Sequence, residues 1–294
     1  MLDYHLHLWP HNQADAEATV EQVRAYCLRA VEAGVSEIAL TEHLFRFTQA
    51  RDLLEGFWDD LPGDDLRPGM IDYWDHHARV DLDTYVEVVE AVKAEGLPVV
   101  LGLEVDYYQD RMDQVAGLLD GYPFDVLLGS VHWLGTWRFD VLKEPLVMAE
   151  WEVRDVDKVW DEYARAMEEL GESGVCDVFA HPDLVKVAGR VPAVPDEYYD
   201  RITEAAVRSG MAAELSSAGW RKPVGEEYPA PGLLKRLVDR GVPLTTASDA
   251  HSLPDVADRA SDLRALLTAA GVTTLRGYRG RRAYDVVVDQ PPGA

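Results

Sequence analysis

Asp125-Val126-Leu127-Leu128-Gly129-Ser130-Val131-His132 is an apolar run of strand length that ends on a histidine. A short continuous apolar run bounded by turn residues, here Gly121 and Pro123, reads as a strand buried on both faces. The construction recurs. Residues 99–103 present Glu104, the run Glu37-Ile38-Ala39-Leu40-Thr41 delivers Glu42 and His43, and residues 176–180 end on His181. Residues 244–247 run into Ser248-Asp249-Ala250-His251, and the chain opens on Asp3-Tyr4-His5-Leu6-His7. With residues 211–215, seven strands begin near positions 3, 37, 99, 125, 176, 211 and 243.

Helical spacing fills the intervals. Val20, Val23, Cys27, Ala30 and Val31 share a face, with Thr19 and Gln22 as a capping box and Gly34 as the stop. Leu82, Tyr85, Val86, Val89 and Val92 form a second face closed by Gly96 and Pro98. A third, from Val156 through Leu170, stops at Gly171, and another helix spans 253–270. Strand–helix alternation argues for a parallel sheet, and its regularity for closure into an α/β barrel with its site at the carboxyl ends of the strands. No linker divides the chain, so one domain is expected over residues 1–294, with 291–294 frayed and a late strand over 284–288. Residues 44–80 fit neither period, which predicts an irregular lid or substrate loop. The adjacent His76 and His77 are then surface or substrate-loop histidines.

Composition narrows the function. Hydrophobic residues make up 47% and charged residues 28%, an ordinary globular balance. The 28 Lys+Arg against 53 Asp+Glu leave a net charge of −25, which repels polyanions and argues against long nucleic acid as a partner. Cys27 and Cys176 are isolated, so no disulfide framework is expected. No basic leader or long apolar stretch opens the chain, so a cytoplasmic protein without a membrane partner is expected; oligomeric state is left open.

Nine residues near strand ends carry metal-ligand chemistry: His5, His7, His11, His43, Glu104, His132, His181, Asp249 and His251. Strand period two puts His5 and His7 on one face, converging on one ion. Burying so many imidazoles without metal would leave polar nitrogens unsatisfied, at about 1–3 kcal/mol each. A multinuclear metal site follows, and nitrogen and oxygen donors without thiolate suit zinc, iron or manganese. Pro182 is expected to hold His181 extended at a strand mouth.

In order, His5-x-His7, Thr41-Glu42-His43, Gly102-Leu103-Glu104, Ser130-Val131-His132, His181-Pro182-Asp183 and Ser248-Asp249-Ala250-His251 resemble the motifs of the PHP (polymerase and histidinol phosphatase) superfamily, over residues 3–251. The phrases Pro123-Phe124-Asp125, Gly129-Ser130-Val131-His132, Ser217-Ala218-Gly219-Trp220-Arg221-Lys222-Pro223 and Tyr228-Pro229-Ala230-Pro231 are most similar to its monofunctional histidinol-phosphatase branch. The resemblance implies a distorted (β/α)7 barrel and a metal-dependent phosphomonoesterase with two to three divalent ions, hydrolysing L-histidinol phosphate in histidine biosynthesis. It also implies an allocation of ligands. His5, His7, Glu104 and Asp249 hold one ion; Glu104 bridges to a second held by His132 and His181; His11, His43 and His251 hold the third. A hydroxide held at Glu104, His132 and Asp249 is the expected nucleophile, since metal brings the pKa of bound water to about 7. The chain departs from the family pattern where His11 follows His7 after only three residues, and Asp15 is the alternative ligand there.

Phosphate also needs donors that are not metal. Arg221 and Arg190, and after them Arg46, are the candidates, because arginine matches phosphate oxygens bidentately. Asp106 and Asp183 are the candidates for reading the substrate amine. Two other readings stand beside this one. The same site would serve another small phosphomonoester or a short oligonucleotide end, whereas a non-catalytic scaffold would show a degraded ligand set.

Overall fold

The computed structural model describes residues 1–12, 17–61 and 65–288. Its main sheet has seven strands in sequence order: β1 (Leu2–Leu6), β2 (Glu37–His43), β3 (Val99–Asp106), β4 (Val126–Ser130), β5 (Val178–Phe179), β6 (Ala212–Ser216) and β7 (Leu244–Ala247). All six neighbouring pairs are parallel, and every strand residue is buried, as sheet residues covered on both faces must be. The seam between β7 and β1 closes differently. His7 N donates to Ala250 O at 2.8 Å, Thr246 Oγ1 to Leu2 O at 2.7 Å, and Ser248 N to Asp3 Oδ1 at 2.7 Å. Loop and side-chain bonds thus complete the circuit where a regular ladder would run, and the architecture is a distorted (β/α)7 barrel.

Ten helices among the described residues cover the sheet: α1 (Val20–Glu32), α2 (Thr48–Leu54), α3 (Arg67–His77), α4 (Leu82–Ala94), α5 (Met112–Leu119), α6 (Pro145–Val153), α7 (Val156–Ser173), α8 (Asp196–Ser209), α9 (Pro231–Asp239) and α10 (Ala260–Ala269). The Thr19 side chain accepts from Gln22 N at 3.2 Å, capping α1 as expected. The other half of the capping box is absent, because Gln22 Nε2 donates instead to Leu8 O at 2.6 Å and ties the helix to the loop after β1. Helix α7 passes Gly171 and stops at Gly174 in the left-handed conformation, while the expected helix over 253–270 breaks into a 3-10 turn and α10.

Residues 44–80 are not an irregular loop. Helices α2 and α3 occupy much of the segment, with Pro68 in the first turn of α3. Phe57, Trp58 and Trp74 are buried and pack edge-on or tilted with one another and with Tyr108. Large aromatic rings supply the burial here, so no regular aliphatic stripe marks the helices. His76 is exposed, but His77 is buried against Phe45 and Tyr73. Pro62 and Gly63 lie outside the described residues, as do Asp15 and the tail from 289 onward where fraying was expected.

The late strand is real and has a partner. β8 (Thr274–Arg279) and β9 (Arg282–Val287) form an antiparallel hairpin across the amino ends of the barrel strands. Gly280 N donates to Asp125 Oδ1, Arg281 pairs with Asp177, and Tyr284 and Arg279 both meet Glu37. Gly277 leaves the space that the Tyr284 ring fills, since a Cβ there would lie 2.6 Å from the ring. The hairpin plugs the end opposite the histidines. Cys27 and Cys176 are free and buried, and no helix of the described residues is long and apolar enough to cross a membrane.

Candidate metal centre

Parallel register carries the ligands to one level. His43 pairs with Glu104 across β2 and β3, and Gly102 permits that approach, because a Cβ there would lie 2.9 Å from Thr41 Cγ2 and Val126 Cγ1. His5 and His7 face the barrel axis with ring centroids 5.0 Å apart. His132 lies two residues beyond β4, His181 follows β5, and Asp249 and His251 follow β7.

Glu104 is the hub. Oε1 lies 3.0 Å from His181 Nε2 and 3.4 Å from His132 Nε2, while Oε2 lies 2.7 Å from His43 Nδ1, 3.2 Å from His5 Nε2 and 3.5 Å from His7 Nε2. Asp249 Oδ1 stands 3.5 Å from His7 Nε2 and 3.9 Å from His5 Nε2. Four overlapping groups have ligand atoms within 4.8 Å of one another: His5 with His7 and Asp249; His5 with Glu104 and His181; His43 with Glu104 and His132; His7 with His43 and His251. Eight of the nine expected ligands therefore converge. His11 is exposed at the rim, its ring 4.2 Å from His251 and 5.3 Å from His43, and belongs to none of the four groups.

The donors fit divalent ions. His5 Nε2, both nitrogens of His7 and His43, His251 Nε2 and Glu104 Oε2 are buried without a hydrogen-bond partner. Such atoms cost about 1–3 kcal/mol each unless something satisfies them, and a cation satisfies several at once. Burial opposes ionisation of Glu104 and Asp249, yet His5 and the neighbouring imidazoles hold both well below the usual carboxylate range. Burial likewise disfavours a charged His132, but Glu104 and Asp106 raise it to about 10. Two ligands also carry unusual backbone, with φ of 24° at His181 and 50° at Asp249. His181 is thus not held extended by Pro182. Glu214 Oε1 accepts its N–H at 3.3 Å, and its carbonyl accepts from Leu184 N at 2.9 Å, so the local fold overrides the preference imposed by proline.

An outer layer of acids orients the imidazoles, and it was largely missed in the sequence. Glu214, in the middle of β6, meets His5 Nδ1 at 2.8 Å. Asp106 meets His132 Nδ1 at 2.5 Å. Glu42 accepts from Leu8 N and Trp9 N and lies 3.6 Å from His7 Nδ1. Asp3 accepts from Ser248 N, Ser248 Oγ and Ala257 N, bracing the loop that carries Asp249 and His251. The available signal was an acid inside an apolar strand, as in Met211-Ala212-Ala213-Glu214-Leu215, because a buried charge requires a partner.

The arginines are engaged. Arg221 pairs with Asp258 at 2.7 Å and donates to Ser248 O at 2.6 Å and Asp249 O at 3.1 Å, so it grips the ligand loop from outside. Arg190 is exposed and pairs with Glu152. Arg46 is buried, 3.3 Å from Glu42, and donates to Trp9 O and Pro10 O, fixing the chain that leads to His11. Of the proposed amine readers, Asp106 meets His132 through Oδ1 and Asp183 meets Ala230 N and Lys186 through Oδ2, while Asp106 Oδ2 and Asp183 Oδ1 are buried without a hydrogen-bond partner.

A parallel barrel with clustered imidazoles and carboxylates at its carboxyl end defines a metal-binding barrel protein. The PHP domain matches residues 3–218, and the chain belongs to that family. It is 33% identical over 243 residues to a probable histidinol-phosphatase of Deinococcus radiodurans, covering 81% of this chain and 84% of the relative. It is 25% identical over 279 residues to the histidinol-phosphatase of Bacillus subtilis, covering 86% of this chain and 94% of the relative. Its fold matches a histidinol phosphate phosphatase of Lactococcus lactis, crystallised with zinc, L-histidinol and phosphate, at a TM-score of 0.67 and 21% identity, covering 96% of this chain and 98% of the other.

Proposed function

We propose that this chain hydrolyses L-histidinol phosphate to L-histidinol and phosphate, as a cytoplasmic step of histidine biosynthesis. The enzyme class, a metal-dependent phosphatase of the histidinol-phosphatase type, rests on the family and the relatives. The carrying observation is the convergence of eight donor groups on Glu104 and its neighbours, with buried ligand atoms that lack other partners. The L-histidinol and phosphate held by the Lactococcus protein support the substrate.

In this reading two to three divalent ions (Zn, Fe or Mn) are held as follows. His5, His7, Glu104 and Asp249 hold one; Glu104, His132 and His181 a second; His43 and His251 a third, with His11 at the rim. When bound, the ions supply a hydroxide nucleophile near neutral pH and neutralise phosphoryl charge. The protein's part is positional. Glu104 presents both oxygens to different histidines, so the groups share one centre. Asp106 and Glu214 fix the rings of His132 and His5 through their Nδ1 atoms, leaving the Nε2 atoms turned toward Glu104. Arg221 holds the backbone of Ser248 and Asp249 and so positions the loop that carries the ligands Asp249 and His251.

The test is kcat/KM for L-histidinol phosphate beside generic phosphomonoesters on the metal-loaded enzyme. The reading expects a preference for histidinol phosphate of at least about 100-fold, the discrimination that specific polar contacts supply. Comparable values reject the substrate.

A further inference from the structure

Four imidazoles turn Nε2 toward Glu104, those of His5, His7, His132 and His181, at 3.0 to 3.5 Å. Three of them have a carboxylate on the far side of the ring. Glu214 lies 2.8 Å from His5 Nδ1, Asp106 2.5 Å from His132 Nδ1 and Glu42 3.6 Å from His7 Nδ1. The fourth differs. His181 Nδ1 is buried and has no hydrogen-bond partner among the described residues. A ring that gives Nε2 to a cation keeps its proton on Nδ1, and that N–H needs an acceptor to fix the ring.

Two further polar atoms beside His181 are orphaned in the same way. Asp183, two residues on, is fully buried; its Oδ2 accepts from Ala230 N at 2.7 Å, and its Oδ1 has no partner among the described residues. Tyr228 is also fully buried, and its hydroxyl likewise has none. The Tyr228 ring stands 6.2 Å from the His181 ring with the planes at 70°. Lys186 Nζ lies 5.3 Å over the same tyrosine ring and 3.1 Å from Asp183 Oδ2. Tyr228 therefore borders both the His181 imidazole and the Lys186–Asp183 pair.

The tyrosine is held there by its backbone. Ser216 N donates to Tyr228 O at 2.6 Å, and Tyr228 N to Ser216 O at 3.1 Å. Ser216 ends β6, two residues past Glu214, whose Oε1 accepts the N–H of His181 at 3.3 Å. Lys186 Nζ also donates to Glu227 O at 2.7 Å, so the segment from 227 to 230 is pinned against the turn that carries His181. Burial, with Asp183 the foremost charge beside it, holds the Tyr228 hydroxyl protonated well above the usual tyrosine range. A protonated hydroxyl can accept from an N–H and donate to a carboxylate at once, which a phenyl ring cannot.

We infer that Tyr228 is a positioning residue for His181, its hydroxyl accepting the Nδ1–H of His181 and donating to Asp183 Oδ1. The relay supplies at one remove the carboxylate that His5, His7 and His132 meet directly, and it satisfies three orphaned atoms together. It closes once a cation on Nε2 fixes the proton on Nδ1. This rests on the reading of His181 as a metal ligand.

The experiment is a chelator-competition titration of the zinc-loaded enzyme, with absorption spectra of the cobalt-substituted form, on Tyr228→Phe, Asp183→Asn, the double variant and His181→Ala. Tyr228→Phe keeps the ring and should match wild type in circular dichroism. It should weaken one ion by about 10- to 100-fold, leave the others as in wild type, and alter the cobalt spectrum. Asp183→Asn should weaken the same ion, and the double variant should lose less than the product of the two single losses, because both substitutions break one relay. Wild-type affinity for every ion in Tyr228→Phe overturns the inference, and so do single losses that multiply in the double variant. A Tyr228→Phe enzyme with unchanged metal affinity but weaker inhibition by inorganic phosphate also overturns it, since the hydroxyl then meets the phosphoryl group. Failure of the ligand reading looks different: His181→Ala then keeps every ion, which overturns that assignment and the relay with it.

Discussion

Glu214 Oε2 lies 2.8 Å from His5 Nδ1, with both side chains fully buried, while the other oxygen of Glu214 accepts the backbone N–H of His181. One strand-centre acid thus sets the ring of a ligand from β1 and the backbone of a ligand after β5. Loss of such an outer partner typically weakens metal affinity by about 10- to 100-fold. Glu214→Gln should show that loss in chelator-competition titrations, with the secondary structure intact. Unaltered metal affinity would reduce Glu214 to a packing residue.

The ligands themselves should be indispensable. His181→Ala or Asp249→Ala should abolish phosphatase turnover and remove metal while circular dichroism still reports a folded barrel. Purified wild type should carry two to three transition-metal ions per chain by elemental analysis. A metal-free preparation with full activity would reject the mechanism.

The two arginines expected near phosphate now separate. Arg221 holds the Ser248 and Asp249 carbonyls, so Arg221→Ala should lower kcat/KM by about 10- to 100-fold, the scale of lost contacts to a charged group. Arg190 meets Glu152 at the surface, and exposed pairs contribute little. Arg190→Ala should stay within about two-fold of wild type, a change of under 0.5 kcal/mol. Equal losses in the two variants would contradict their placement.

His77 makes stability depend on pH. Burial, with the charges of Arg46, His76 and Arg138, lowers its pKa from 6.5 to about 3. Between those values the unfolded chain binds a proton that the folded chain does not, so this histidine's contribution is full above pH 6.5 and is lost as pH falls toward 3. His77→Gln should flatten the fall in chemical-denaturation stability across pH 6 to 4 by up to about 1.4 kcal/mol per pH unit. Parallel curves for wild type and variant would show that His77 is as accessible to protons folded as unfolded.

Much of the architecture was written locally. Each barrel strand is a short apolar run with a donor at or just beyond its end, and periodicity alone exposes such runs, so the strand starts near 37 and 99 coincide with β2 and β3. The helices of residues 44–80 escaped because Phe57 and Trp74 bury against Tyr108 and Trp133 from elsewhere in the chain and leave no regular stripe. The hairpin strand β8 escaped for a related reason, since Gly277 is filled by Tyr284 only when the chain turns back.

For the site, the sequence by itself determined the donor types and the strand ends on which they sit, because side-chain chemistry and strand period are local properties. Tertiary structure decided the rest. Which oxygen of Glu104 meets which histidine, the turn of His181 away from extended backbone, and the commitment of Asp106, Asp183 and Arg221 to partners far along the chain depend on distances between separate strands. Burial makes those partnerships obligatory, since an acid or arginine removed from water must find its opposite wherever the fold places it.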